Sequence, residues 1–432
     1  SELDMRYQLL THRLASGIVD EPIPVECLTA SVVWSLGWPD STILHNPRDV
    51  ESFLLTGMCP KRMTVRGTRG CFYNAGKVKI KPLSTHSWMQ VADVEQSQKK
   101  VGELSEALKD AGTMQSLVAA DIKNGSEHLA HLVAAADGQQ ISGELIVSAH
   151  HCANVLFNIM RGGVFDNSYQ IDRNQLDLHL RSTTGTNGAN FDAWINELPN
   201  SLSIMQLAEF SETAEPQIRR ACLEYLPLVF SRRHGDPSRP WNLFSIKTKD
   251  TMGIPVVGFQ GNWRDIFQNW EALSWSFPNY NLAFIRKFLN ASTADGYNPY
   301  RITSSGIEWE EPDENDPWAS IGYWGDHQII YLLKLLEFSE QVSPGWLANN
   351  LAASEFVFAD VPYEIKDFAE LERDPNNSIN FNVVKNEAIQ VRVSKYGADG
   401  KLVHDNNGKI VHAQLIEKLL IPLLIKLSNF VP

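Results

Sequence analysis

The spacing of apolar positions along the chain changes twice. Near the N-terminus, Ala30-Ser-Val-Val-Trp-Ser-Leu-Gly37 is an apolar, β-branched run closed by a glycine. Arg62-Met-Thr-Val-Arg66 and Gly76-Lys-Val-Lys-Ile-Lys-Pro82 alternate apolar with polar, the period of half-buried strands. Lys77, Lys79 and Lys81 then share one strand face, read either as a solvated edge that blunts aggregation or as an anion site. From about 93 to 136 the period becomes helical. Val101, Leu104, Leu108, Met114, Leu129, Leu132 and Val133 supply the apolar stripe, and Gln96, Lys99, Lys100, Glu103, Glu106 and Lys109 the wet face.

Beyond residue 141 the pattern stays helical with long connections. A helix is expected from Ile146 to Met160, stopped by Gly162-Gly163, and another from about Glu215 to Phe230. Trp263 to Phe277 places Ile266, Trp270, Leu273 and Phe277 on one stripe, and Pro278 ends it before a further helix over Leu282 to Leu289. A helix opening at Asp326 and running to Leu336, one over Trp346 to Phe358, and a last one from His412 to Phe430 complete the set. Val391 to Val411 alternates around Asp399-Gly400 and Asn407-Gly408, which predicts a β-hairpin.

The expected fold is multi-domain, with α and β parts. Residues 1–95 form a β-sandwich or its last part, 96–140 a helical linker, and 141–432 an α/α toroid of the six-hairpin kind. Roughly 290 residues after the linker hold about eight or nine helices at ordinary spacing, fewer than a closed six-hairpin ring requires. The toroid is therefore expected to be incomplete in this chain.

Composition narrows the partners. At 432 residues the chain has room for two or three domains. Its net charge of -13 disfavours nucleic acid, which needs a basic face, and suits a neutral substrate. Cys27, Cys59, Cys71, Cys152 and Cys222 are odd in number and show no Cys-x-x-Cys spacing, so no metal or cofactor is expected. No apolar run of about 18 residues occurs, so no membrane partner is expected. No signal-peptide pattern is present, which favours the cytoplasm over an exported form whose signal has been removed. A homo-oligomer is compatible with all of this.

The candidate chemistry concentrates between Gly261 and Leu336. Gly-Asn-Trp-Arg-Asp-Ile-Phe-Gln-Asn-Trp opens this stretch and Gly-Tyr-Trp-Gly-Asp-His-Gln closes it, each at the mouth of an apolar helix. Indoles beside carboxylates suit a sugar, whose flat faces stack on the rings while its hydroxyls meet the acids. Asp265 also reads simply as a first-turn acid favoured by the helix dipole. Between the two ends, the loop Thr293 to Gly322 carries Glu308, Trp309, Asp316 and Trp318. A loop of that length in a compact domain is usually functional or disordered, and its aromatics argue for function. Upstream, the loop 231–244 holds Arg232, Arg233, Arg239, His234, Asp236, Trp241 and Asn242, read equally as a cleft wall or an internal Arg–Asp network. The loop 161–169 offers Arg161, Asp166 and Asn167 to a cleft. His150 and His151 are neighbours on a helix, point about 100° apart and are read as packing or capping groups.

Sandwich, helical linker and toroid in that order resemble the inverting sugar phosphorylases that act on cellobiose and chitobiose, and their six-hairpin glycosidase relatives. Trp263-Arg264-Asp265-Ile266-Phe267-Gln268-Asn269 is similar to that family's Arg-Asp-x-x-Gln-Asp motif. The resemblance implies that Arg264 and Asp265 grip sugar hydroxyls, with Trp263, Gln268 and Asn269 beside them. The motif's closing Asp is Asn269 here, so its charge is missing, and Gly258 stands where the family has a further Arg. Gly325-Asp326-His327 is similar to the acidic turn opening a later barrel helix, and Trp324 and His327 there join the expected binding set, as does Glu308, one of the carboxylates placed nearest the cleft with Asp265, Asp316 and Asp326.

Inverting cleavage needs a carboxylic acid to protonate the leaving oxygen, and a hydrolase also needs a carboxylate base. The family's acid sits in a Trp-Asn-Asp motif that this sequence lacks. Asp326 and Asp316, shielded by Trp324 and Trp318, are the expected acids if the chain is whole. Otherwise the acid is expected in a continuation beyond Pro432. The sequence thus points to an inverting glycoside phosphorylase or glycosidase acting on an oligosaccharide, with inorganic phosphate as co-substrate in the first case. A non-catalytic glycan-binding toroid is the alternative, and an α/α scaffold for protein partners a third reading.

Overall fold

A computed structural model describes residues 1–13, 29–165, 167–230, 256–309, 323–324, 328–374 and 379–428. The chain divides into two compact units, Ser1–His128 and Leu129–Pro432.

The first unit is built on one antiparallel sheet. Strands β1 (Glu2–Asp4), β2 (Leu9–Arg13) and β3 (Ala30–Leu36) are joined by β6 (Met89–Gln96) in the order β1-β2-β3-β6. A separate ribbon pairs β4 (Thr42–Leu44) with β5 (Tyr73–Ala75). Alternation in β3 sends Val32, Trp34 and Leu36 to one face. There they meet Leu9 and Leu108, with Val101, Leu104, Met114 and Val118 packed around them. The helices α2 (Gln98–Ala107) and the start of α3 (Ala111–Ala135) thus cover that face as part of this unit's core. Leu3, Leu10 and Ile43 form a smaller cluster with Phe72. A short helix, α1 (Pro47–Thr56), is capped by Asn46 and ended by Gly57 in the left-handed region.

Two expected strands of this unit take other forms. Residues 76–82 form no strand and are exposed, so Lys77, Lys79 and Lys81 do not line a strand face. Alternation alone does not make a strand where no partner edge runs alongside. The 62–66 stretch contributes only one bridge, Glu2 to Thr64. Arg62 instead clamps the buried Asp49 of α1 at 2.5 and 3.0 Å.

The second unit is mainly helical. It opens with the end of α3, from Leu129, and α4 (Leu145–Gly162), then a two-stranded ribbon of β7 (Gln170–Asp172) and β8 (Ser201–Ser203) carrying α5 (Arg173–Thr184), α6 (Ala189–Glu197), α7 (Ile204–Ser211) and α8 (Pro216–Leu223). A three-stranded sheet, β9 (Gln260–Asn262) beside β11 (Arg301–Thr303) beside β12 (Gly306–Glu308), flanks α9 (Trp263–Ser276) and α10 (Asn281–Asn290). The pair β10 (Tyr297–Asn298) and β13 (Tyr323–Trp324) follows, then α11 (Ile329–Val342) and α12 (Trp346–Asn350). Short ribbons, β14 (Phe356–Val357) with β17 (His412–Ala413) and β15 (Tyr363–Ile365) with β16 (Ile379–Phe381), brace α13 (Phe368–Arg373), α14 (Val383–Tyr396) and α15 (Leu415–Ser428). The core is aromatic: Phe165 stacks on Tyr280 at 3.8 Å and Trp270 on Phe284 at 5.0 Å. From α15, the buried Lys418 donates to the Ser292 carbonyl at 2.9 Å and lies 4.0 Å from the Phe358 ring.

Several expected elements take other forms here. The helix expected over 215–230 stops at Leu223, and Val229 pairs with Val164 instead. The helix over 346–358 lasts five residues before β14. Part of the expected loop 293–322 is strand, because β11 completes the sheet with β9. The hairpin expected over 391–411 is the end of α14 followed by a 3-10 turn over Gly397–Lys401, and only the Asn407-Gly408 turn survives, under a His404–Ile410 bridge. Val391 and Val393 are simply two positions of a helix that began at Val383.

A buried ionic cluster holds distant segments of this unit together. Arg220 of α8 meets Glu224 at 2.8 Å and Asp399 at 2.5 Å. Lys287 of α10 lies 3.5 Å from Glu224, and Asn290 donates to Glu224 at 2.6 Å. Two cations thus face two carboxylates, all nearly out of water. Burial pushes Glu224 up, but Arg220 and Lys287 outweigh it and hold its carboxyl below the usual range. Burial, against the pull of Arg220, pushes the Asp399 carboxyl up to about 6. Beside the cluster, His179 packs on Tyr225 at 4.8 Å, and burial pushes its imidazole down to about 3.

Two measurements check this arrangement. Gly397 has φ of 61°, and a Cβ there would lie 2.2 Å from the Ser182 carbonyl oxygen. Gly397→Ala is expected to cost about 1 kcal/mol or more, read as a lower thermal midpoint. An unfolded His179 takes its proton near pH 6.5, the folded one near 3, so the unfolded chain holds more protons in between. Its contribution to stability is therefore full above pH 6.5 and is lost as pH falls toward 3. Denaturant titrations at pH 7 and 5 should show His179→Leu losing less stability on acidification than the wild type, by about 2 kcal/mol over that interval.

Candidate functional site

The start of α9 gathers the expected binding residues. Asn262 caps the helix, its side chain accepting from the Arg264 N–H at 2.9 Å. The Trp263 N–H donates to the Tyr300 carbonyl at 3.0 Å, which ties the first turn to the flanking sheet. Helical spacing then decides which side chains reach solvent. Arg264 and Gln268, four apart, are exposed, and Asp265 is partly exposed between them. Trp263, Ile266, Phe267, Asn269 and Trp270 turn inward.

Two expected contacts are thereby corrected. Trp263 is fully buried, its ring against Phe267 at 4.7 Å and Phe288 at 4.8 Å, so it offers no face to a sugar. The apolar stripe of α9 needs this residue for the core. Asn269 is buried too, and its amide donates to Asn158 at 2.9 Å. An aspartate there would be a carboxylate among core groups, so the amide is the residue that packing accepts.

Arg161, at the end of α4, approaches the site from the other side. Its Nη1 lies 3.8 Å from Asp265 Oδ1, with the side chains 21% and 29% exposed. Its guanidinium also rests 4.6 Å from the Phe157 ring. The sequence placed Arg161 in a loop. It belongs to the last helical turn, closed by Gly163 at φ 84°.

Glu308 joins the site through the sheet. Its row runs Asn262, Arg301, Glu308 across β9, β11 and β12. Arg301, nearly buried, pairs with Glu308 at 3.2 Å. The backbone of Trp324 pairs with Tyr297. The Gln328 amide, at the start of α11, donates to the Arg264 carbonyl and so brings the openings of α9 and α11 together. Asp316, Asp326 and His327, the Trp324 side chain, Asp166 and the loop 231–244 lie outside the described residues. Among the described residues no group of His, Cys, Asp and Glu is arranged to hold a metal. None of the described helices is long and apolar enough to cross a membrane. His151 donates to the Asp137 carbonyl at 2.8 Å, a capping contact.

The division between core and open side chains has a direct test. Trp263→Ala is expected to cost about 3–5 kcal/mol of stability, read by denaturant unfolding. Asp265→Asn, at a partly open position, should move stability by less than about 1 kcal/mol in the same measurement.

Comparison with known families comes from one segment. Residues 165–227 match the model of the glycoside hydrolase family 149 insertion domain 1. No curated protein matches the chain. The matched residues span the β7–β8 ribbon with α5 to α8, including His179, Arg220 and Glu224 of the ionic cluster. This match relates the chain to a glycoside hydrolase family, a group of carbohydrate-active enzymes.

Proposed function

We propose that this chain belongs to a carbohydrate-active enzyme that cleaves a glycosidic bond of an oligosaccharide with inversion, a glycoside phosphorylase or a glycosidase. The observation that carries the reading is the match of residues 165–227 to a glycoside hydrolase insertion domain. The start of α9 supports it by leaving Arg264 and Gln268 exposed and Asp265 partly exposed while Trp263 and Asn269 serve the core. In this reading the second unit is part of an α/α toroid. Arg264, Asp265 and Gln268 bind sugar hydroxyls, with Glu308 at the rim. Asp326 or Asp316 is the acid if the acid lies within these residues.

The chemistry divides on the nucleophile. A phosphorylase needs one acid and lets phosphate attack the anomeric carbon from the opposite face. A hydrolase needs a second carboxylate to activate water. A glycan-binding protein without turnover is the second reading, which the lack of a Trp-Asn-Asp motif favours only if no acid lies outside this sequence.

Oligosaccharides of glucose and of N-acetylglucosamine, incubated with the native gene product with and without inorganic phosphate, separate these readings. Sugar 1-phosphate formed only with phosphate is the phosphorylase outcome, and free reducing sugar the hydrolase outcome. Binding without turnover supports the second reading. Neither binding nor turnover across the panel sinks both. Asp326→Asn with unchanged activity removes Asp326 from the role of acid.

A further inference from the structure

The last turn of α4 is fastened to α9 at three points. The Asn269 amide donates to Asn158 Oδ1 at 2.9 Å, the Trp270 indole donates to the Gly162 carbonyl at 2.9 Å, and Arg161 faces Asp265 at 3.8 Å. Gly162 sets how close the helices come. A Cβ there would lie 3.1 Å from both Asn269 Cβ and Trp270 Cδ1, so a side chain would press the two helices apart.

The three contacts differ in kind. Asn269 and Trp270 are buried, and their hydrogen bonds serve the helix seam. Arg161 and Asp265 are partly open to solvent. The seam fixes the backbone of α4, and Phe157, one turn before, supports the guanidinium. The cation is therefore delivered to the carboxylate by a rigid part of the core, not by a loop. A separation of 3.8 Å puts an electrostatic hold on Asp265.

We propose that Arg161 is a positioning residue for sugar recognition, holding the Asp265 carboxylate in the orientation that meets the sugar hydroxyls. This rests on the reading of Asp265 as a sugar-binding group. With the carboxylate already held, less side-chain freedom remains to be lost when the sugar arrives. The hold acts through Asp265, so Arg161 matters to binding only while that carboxylate is present.

The test is a double-mutant cycle in the native gene product. KM and kcat, or Kd where there is no turnover, are measured for the glucose or N-acetylglucosamine oligosaccharide that the wild type accepts, with a thermal midpoint for every variant. Asp265→Asn is expected to weaken binding. Arg161→Ala is expected to raise KM or Kd about three- to tenfold, by more than kcat falls, and Arg161→Lys to recover part of the loss. The double variant should bind no worse than Asp265→Asn alone, because the two changes remove one interaction. Two outcomes overturn the proposal while leaving the sugar site standing. One is a lower midpoint for Arg161→Ala with unchanged KM while Asp265→Asn is impaired, and the other is full additivity in the double variant. If Asp265→Asn binds as the wild type does, the site reading falls and the proposal falls with it. Should Arg161→Ala not fold, Arg161→Gln, which keeps most of the side chain over Phe157, carries the same comparison.

Discussion

The second unit depends on pairing charge where there is almost no water. Arg220, Glu224, Lys287 and Asp399 come from α8 and the turn after it, from α10, and from the turn after α14, and each would be costly to bury alone. Together they balance, with Asn290 filling a further bond to Glu224. Apolar packing can slide by small amounts at little cost, but a buried ion must meet its partner. The cluster therefore fixes the segment 165–227 against α10 and the end of α14. It also explains why the glycines at the same junction approach so closely: Gly185, ending α5, and Gly397, ending α14, meet with no room for a Cβ on either.

Local periodicity made part of this fold legible. α4, α9, α10 and most of α11 follow from apolar positions three and four apart, and the stops at Gly162-Gly163 and Pro278 are where the pattern puts them. The strand β3 follows from its β-branched run. The elements that were missed depend on something other than pattern. The 76–82 segment alternates well and still has no partner strand among the described residues. Short strands such as β11 and β12 exist because β9 runs beside them, and no window of sequence announces that. Within α14, a two-residue alternation of valines imitates a strand for five positions inside a fourteen-residue helix.

The site shows the same division. The Arg264-Asp265 pair and Gln268 are readable because helix geometry turns them outward once α9 is placed. That geometry also assigns Trp263 and Asn269 to the core, a consequence that residue type alone conceals, since an indole beside an acid looks like a sugar platform. Arg161 stands 104 positions before Asp265, and only the α4–α9 seam brings them together. The ionic cluster is harder still to read. Arg220 and Glu224 show the four-residue spacing of a helical ion pair, but nothing near them in sequence points to Asp399.

That separation has a consequence for how the chain is made. Arg220 leaves the ribosome 179 residues ahead of Asp399. At about 5–20 residues per second, roughly 9–36 s pass before its carboxylate partner is synthesised. During that interval Arg220 of α8 and Glu224 in the turn after it balance one another, but Lys287 of α10 cannot join them in a dry interior without leaving one cation uncompensated. The junction of α8 with α10 is thus complete early as sequence and closes, charge for charge, only with the turn after α14.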